Sequence, residues 1–299
     1  MSPPARASRT TVVVTPAVLR DHSPPEPASY SHKGDRGCVL VIGGTRETPG
    51  AVVLAGIAAL RAGAGVLQVA TAESVARAVA VALPEARVIG IAESPLGDLS
   101  GGSGSRLAEL AGAAQAVLIG PGLADADALA TLMPSLLAGL DSQAVVIDAH
   151  ALRAITPELL HRHRDRVVLT PNVKEAAELL GADAGDVERE SAQSIRSLVD
   201  RFGCTVALRG QETYIQAPRT SAYHDESGTP GLGTSGSGDV LVGYLAGLLA
   251  RGAAPLAAAL WAVHVHGQAG QRLSARLGHL GFLARELLDD LSIIAAELV

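Results

Sequence analysis

Short uninterrupted apolar runs alternate along the chain with longer stretches whose apolar positions recur every three or four residues. The first pattern marks buried strands of a parallel sheet and the second marks helices with one buried face. Strands are predicted on this basis at residues 38–42, 66–70, 87–91, 116–119, 144–147, 167–170 and 205–208, with 213–216 as a partner strand. Helices are predicted at 50–61, 74–83, 107–114, 127–137, 156–162, 174–180, 191–201, 239–251, 255–270 and 281–297. Strands alternating with helices imply an α/β fold, with a mostly parallel central sheet covered by helices on both faces. Residues 1–30 are rich in Pro, Ser and Arg and break the pattern. They are expected to be extended and partly disordered, with residues 12–19 packing only loosely, so that 31–299 form the folded domain.

The polar residues fall in a telling place. Gly43-Gly44, Gly120-Pro-Gly122, Asp148, Thr170-Pro-Asn172 and Arg209-Gly210 each follow directly after an apolar run. They therefore collect at the carboxyl ends of the strands, the edge where open α/β sheets bind ligands. A second signal is the run Gly228-Thr-Pro-Gly-Leu-Gly-Thr-Ser-Gly-Ser-Gly-Asp239, after which an apolar helix pattern begins. Glycines there let the backbone approach a ligand closely and aim several N–H groups at one point, at the positive end of a helix. That makes the run from Gly233 to Gly238 a candidate anion site. Asp239 has two readings. It is either a helix cap or a carboxylate that takes a proton from an attacking hydroxyl during phosphoryl transfer. The segment 231–236 also matches G-x-G-x-x-G, but no strand precedes it and no acidic residue lies about 20 positions later, which argues against a dinucleotide fingerprint. No G-x-x-x-x-G-K-[ST] occurs either.

Composition narrows the picture further. With 299 residues, 48% apolar and 2% aromatic, the chain suits one large domain with a core of small side chains. A net charge of −6 argues against nucleic acid or an anionic membrane as partner. Cys38 and Cys204 lie in separate apolar runs and read as buried free thiols of a reducing compartment. No signal-peptide pattern and no apolar run of membrane-spanning length is present, so a cytoplasmic protein is expected.

In order along the chain stand Ser31-His-Lys-Gly-Asp-Arg-Gly37, Val41-Ile-Gly-Gly44, Pro49-Gly-Ala51, Ala59-Leu-Arg-Ala-Gly-Ala-Gly65 and Pro84-Glu85. Then follow Gly120-Pro-Gly-Leu123, Asp148-Ala-His-Ala-Leu152, Leu169-Thr-Pro171, Gly236-Ser-Gly-Asp239 and His266-Gly267. This series resembles the carbohydrate-kinase-like branch of the ribokinase superfamily, and within it the ADP- or ATP-dependent NAD(P)H-hydrate dehydratases. The resemblance implies a ribokinase-like three-layer sandwich. It also implies dehydration of hydrated NADH or NADPH, in which ADP or ATP with Mg²⁺ phosphorylates the ring hydroxyl and phosphate then departs. By position it makes Asp239 the catalytic base and Gly236, Ser237 and Gly238 the cradle. Ala51 and Gly122 would touch the hydrated nucleotide, as would Asn172. Arg209, Gly210, Gln211, Glu212 and Thr213, with Gly238, would hold the adenine nucleotide. Relatives are often homotetramers, so a homo-oligomer is expected.

Four positions depart from the family pattern. Asn172 stands where His is usual, Arg209 where Lys is usual, His150 where a second Asp is usual, and Ala124 where Gly is usual. Asn172-Val-Lys-Glu175 also matches the Asn-x-x-Glu motif of ordinary ribokinase-type kinases, which helps to place Mg²⁺ and phosphate. Glu175 is thus either a helix-surface residue or a ligand to a metal-bound water. Asp148 either caps the following turn or belongs to the Mg²⁺ and phosphate surroundings. Asn172 either faces the substrate or bonds backbone at its turn. His264 and His266, two residues apart on a helix, do not share a face and read as structural. Two alternatives to the dehydratase remain at this point: a small-molecule kinase of the same fold, and a nucleotide-binding relative without turnover.

Overall fold

The computed structural model describes residues 11–26 and 32–299, and within them ten strands join a single sheet. The strands are β1 (Val12–Val13), β2 (Cys38–Ile42), β3 (Val66–Ala72), β4 (Ala86–Ile91), β5 (Ala116–Ile119), β6 (Ala144–Ile147), β7 (Val167–Leu169), β8 (Thr205–Arg209), β9 (Thr213–Gln216) and β10 (Tyr223–Asp225). Their spatial order is β1-β10-β9-β8-β7-β6-β5-β2-β3-β4. From β8 to β4 every pair is parallel. β9 runs antiparallel to β8 and β10, as a short hairpin allows, and β1 adds in parallel on β10.

Every residue of β2 and β5 is buried, which is what helices on both faces require. Successive side chains go to opposite cores: Val39 and Val41 to one, Leu40 and Ile42 to the other. β2 lies between β3 and β5, so the strand order reverses there and opens a crevice at the carboxyl edge between Gly43-Gly44 and the 120–122 turn.

One helix sets the centre of the molecule. Ser237–Ala250 is buried along nearly its whole length and packs on Gly50–Arg61. A Cβ at Gly243 would stand 2.1 Å from the Ala55 carbonyl oxygen, and one at Gly247 would stand 2.4 Å from that of Ala59. The matched rise of these contacts makes the two helices parallel, so both begin at the ligand edge of the sheet. Gly243 and Gly247, one turn apart, thus let the two helices approach closely.

The amino-terminal reading is corrected over part of its length. Residues 12–21 do not pack loosely: they form β1 and the helix Pro16–Asp21, capped by Thr15. Leu19 is fully buried, and the Trp261 Nε1–H donates to the carbonyls of Leu19 at 3.0 Å and His22 at 3.1 Å. A buried indole needs an acceptor, and this segment supplies two. The expected disorder of residues 1–10 lies outside the described residues. A short helix at Ala184–Arg189, started by the Asp183 carboxylate on the Gly185 N–H, was not legible as a periodic pattern.

Gly243→Ala forces a methyl group against a backbone carbonyl. It is expected to cost about 1–3 kcal/mol, seen as a lower urea midpoint. Gly34→Ala, with open space around it, is expected to leave the midpoint unchanged. Equal midpoints for both variants would contradict this helix packing.

Candidate active site

The site is built where the glycine run turns into the central helix. Gly236 takes φ +87° to start that helix, a conformation that penalises any side chain, and no side chain caps the helix start. The Ser237 amide donates to the Thr234 carbonyl at 3.2 Å, so the first-turn amides of Gly238 and Asp239 carry the positive end of the helix dipole toward the sheet edge. Asp239 is the third residue of the helix rather than its cap. The cap reading of this carboxylate finds no hydrogen bond to support it.

Arg209, at the end of β8, lies across this helix start. Its Nε donates to the Thr170 carbonyl at 2.8 Å and its NH2 to Asp148 Oδ1 at 2.8 Å, and the same NH2 stands 3.7 Å from Glu175 Oε2. The remaining NH1 lies so close to Gly238 that a Cβ there would be 2.5 Å away. Asp148 also accepts from the Thr170 hydroxyl at 2.7 Å. It makes no side-chain cap for the following turn, so its carboxylate faces Arg209 and the site.

Charge and burial tune the two neighbouring carboxyls. Burial, reinforced by the negative charge of Asp148 and opposed by Arg209, raises Asp239 from 3.8 to about 7. Glu175 is raised as well, by burial first and Asp148 second, against its bond from Asn172 and the nearby Arg209. A carboxylate that titrates near neutrality is matched to general-base work.

A groove of about 1030 Å³ opens beside the helix start. The β8–β9 turn, with Arg209, Gly210, Gln211, Glu212 and Thr213, forms one wall, and Ser237, Gly238 and His266 form another. The residues expected to hold a nucleotide are therefore brought together with the cradle. Ala51 and Gly122 meet at the crevice beside β2, where a Cβ at Gly122 would lie 3.1 Å from the Ala51 Cβ. Thr48 Oγ1 donates to the Gly122 carbonyl at 2.8 Å. Leu54, one turn beyond Ala51, packs against Gly236, so the crevice and the cradle are neighbours.

Asn172 and Glu175 form a capping box. Asn172 Oδ1 accepts from the Lys174 and Glu175 amides at 2.9 and 3.0 Å, and Glu175 Oε2 accepts from the Asn172 amide at 2.8 Å. Asn172 thus bonds backbone at its turn, and Glu175 is half-spent on the cap. Among the described residues no group of three or more His, Cys, Asp or Glu is arranged to hold a metal directly. Asp148 and Glu175 flank the Arg209 guanidinium instead, at 2.8 and 3.7 Å. Sequence reasoning missed Thr48, a single hydroxyl without a motif, and the bond that the Thr170 hydroxyl makes to Asp148. It also missed Asp98, whose carboxylate accepts from the Ala124 and Asp125 amides at 2.6 and 2.8 Å and so pins the loop after Gly122.

A family model described as NAD(P)H-hydrate dehydratase matches residues 39–292. Over 277 residues the chain is 43% identical to the ADP-dependent (S)-NAD(P)H-hydrate dehydratase of Xanthomonas campestris, covering 92% of each chain. It is 34% identical to the bifunctional NAD(P)H-hydrate repair enzyme Nnr of Moorella thermoacetica, covering 96% of this chain and 54% of that one. Among solved structures, the ADP/ATP-dependent NAD(P)H-hydrate dehydratase from Bacillus subtilis, co-crystallised with ATP/Mg²⁺, matches with a TM-score of 0.84. That match has 27% identity and covers 98% of this chain and 100% of the other.

The folded pKa of Asp239, about 7, lies above its ordinary value of 3.8, so folding favours the protonated form. The stability this contributes is present at low pH and is lost as pH rises through about 7. Asp239→Asn mimics the neutral form. It is expected to melt above the wild type at about pH 8 and level with it at about pH 4. An Asn variant with no advantage at the higher pH would show that the carboxylate is not held in this environment.

Proposed function

The chain belongs to the NAD(P)H-hydrate dehydratase family, and from that premise we propose that it dehydrates hydrated NADH or NADPH, using ADP or ATP with Mg²⁺. The observation that carries the reading is the Asp239 carboxylate, tuned to about 7, beside an uncapped helix start and the Arg209 guanidinium. The bound nucleotide supplies the phosphoryl group, and Mg²⁺ supplies charge that neutralises it.

Asp239 takes the proton of the ring hydroxyl as its oxygen attacks phosphorus. The cradle of Gly236, Ser237 and Gly238 and the NH1 of Arg209 face the negative charge that develops on the transferring group. Ala51 and Gly122 hold the hydrated nicotinamide nucleotide in the crevice, and Asn172 borders the approach. The β8–β9 turn holds the adenine nucleotide, while Asp148 and Glu175 would be the carboxylates that hold the cation. Once phosphorylated, the C6 oxygen leaves as phosphate, the ring nitrogen supplies the electron pair, and transfer of the C5 proton to water restores the dihydropyridine. Asp239 has no need to act in that second step.

Two further parts belong to the same reading. The buried free thiols Cys38 and Cys204, the second pushed up to about 12 by burial, support a reducing, cytoplasmic setting. Exposed Leu277, Leu280 and Leu283, between the last two helices, offer apolar surface for a homo-oligomer.

One observation favours a second reading. Asn172, where His is usual in the family, is engaged in a capping box, which supports a kinase that stops at the phosphoester. The two readings separate by product. Acid-hydrated NADH with Mg²⁺ and ADP or ATP is expected to yield NADH absorbance and inorganic phosphate in equal amounts. Asp239→Asn is expected to lower that rate by about 100-fold or more while nucleotide binding persists. Nucleotide consumption that leaves a stable phosphoester would favour the kinase, and an Asn variant at wild-type rate would remove Asp239 from the reaction.

A further inference from the structure

Two histidines of the helix Pro255–Leu277 are buried, and they have different partners. His264 Nδ1 lies 2.7 Å from Asp225 Oδ2, and the other oxygen of that carboxylate accepts the Ser227 amide at 2.9 Å. This contact ties the helix to the end of β10, a structural use. His266 instead places Nε2 3.0 Å from Ser237 Oγ, and both side chains line the groove beside Gly238 and Arg209.

The direction of the Ser237 hydroxyl decides what the helix start presents to an anion. If the hydroxyl donates to the imidazole, the groove meets serine lone pairs, which repel phosphate oxygens. If the imidazole Nε2–H donates to the serine, the hydroxyl proton is left for the ligand. Burial, and then the charge of Arg209, push His266 down to about 4, so the ring is neutral and carries one N–H. A hydrogen bond with the Ser237 backbone opposes that shift and favours a proton on the ring.

We propose that His266 is a positioning residue for phosphate recognition: its Nε2–H donates to Ser237 Oγ and turns the Ser237 hydroxyl proton into the groove, toward a phosphate of the nucleotide. The proposal rests on the groove being the nucleotide site. It assigns His266 a role in ligand binding although the histidine itself does not touch the ligand.

The test is calorimetric titration of ADP with Mg²⁺, and separately of adenosine, on wild type, Ser237→Ala, His266→Leu, His266→Gln and the double variant Ser237→Ala/His266→Leu. ADP binding is expected to weaken about tenfold in each of the first two variants, while adenosine binding stays at the wild-type level. The double variant is expected to be no weaker than either single one, because both changes remove the same donor. His266→Gln carries an amide N–H at about the reach of Nε2 and is expected to retain ADP binding within about threefold. If His266→Leu does not fold, His266→Asn replaces it, since its shorter amide falls short of Ser237 and is expected to bind ADP poorly.

Wild-type ADP affinity in His266→Leu, or in His266→Asn where that stands in, would overturn the proposal. So would losses that multiply in the double variant, or adenosine and ADP affinities that fall together. A wild type that binds ADP but does not dehydrate hydrated NADH would overturn the proposed function and leave these binding results to decide the role of His266. A wild type that binds neither ADP nor ATP would overturn both.

Discussion

The site depends on one guanidinium. Arg209 is about 20% exposed, and its principal partner Asp148 is about 4% exposed. Removing one partner of such a buried pair typically costs about 3–5 kcal/mol, because a charge is left unpaired. The planar fork matters as much as the charge. Nε and NH2 are spent on the Thr170 carbonyl and Asp148, which leaves NH1 at Gly238, where the helix begins. A lysine at this position would bring a point charge but could not hold those three directions at once. Arg209 also moderates Asp239: burial and Asp148 push that carboxyl up, and Arg209 alone opposes them, so that it settles near neutrality.

The fold delivers Arg209 and Asp239 to the same place by two routes. Parallel strands bring Gly120, Asp148, Thr170 and Arg209 to one edge in sheet order, because β5, β6, β7 and β8 are neighbours in register. The central helix brings Ser237, Gly238 and Asp239 to that edge because it runs parallel to Gly50–Arg61 with glycine at the contacts. Small side chains in the core are thus tied to the chemistry. They let two helix starts stand side by side, one at the crevice with Ala51 and Gly122 and one at the groove.

The parts of this arrangement that the sequence made legible are those encoded locally. Apolar runs ending in Gly, Asp or Arg identify the strands and their ligand edge, and the crowding of glycines before Asp239 identifies the helix start. Features that depend on distant partners were not legible. β1 has only two residues, and its place is set by β10 and by the Trp261 indole, hundreds of residues away in sequence. Asn172 and Glu175 share a motif that fits either a capping box or a ligand site, and the geometry displays the capping box. His266 looked structural because its neighbour at 264 lies on another face; its partner Ser237 belongs to a different helix. Asp98 carries no motif, and the motif that holds Thr170 does not reveal its bond to Asp148, so both roles appear only once the strand ends are assembled.

The pH dependence of kcat/KM for the dehydration tests the tuned base most directly, since that ratio reports the free enzyme. An acid limb with an apparent pKa of about 7 is expected, with activity falling as pH drops through it. Asp148→Asn removes the nearest negative charge and is expected to move that limb to lower pH, a shift that titration of the nucleotide phosphates would not produce. A profile that is flat from about pH 5 to 8, or a limb that ignores Asp148, would contradict the assignment of Asp239 as the base.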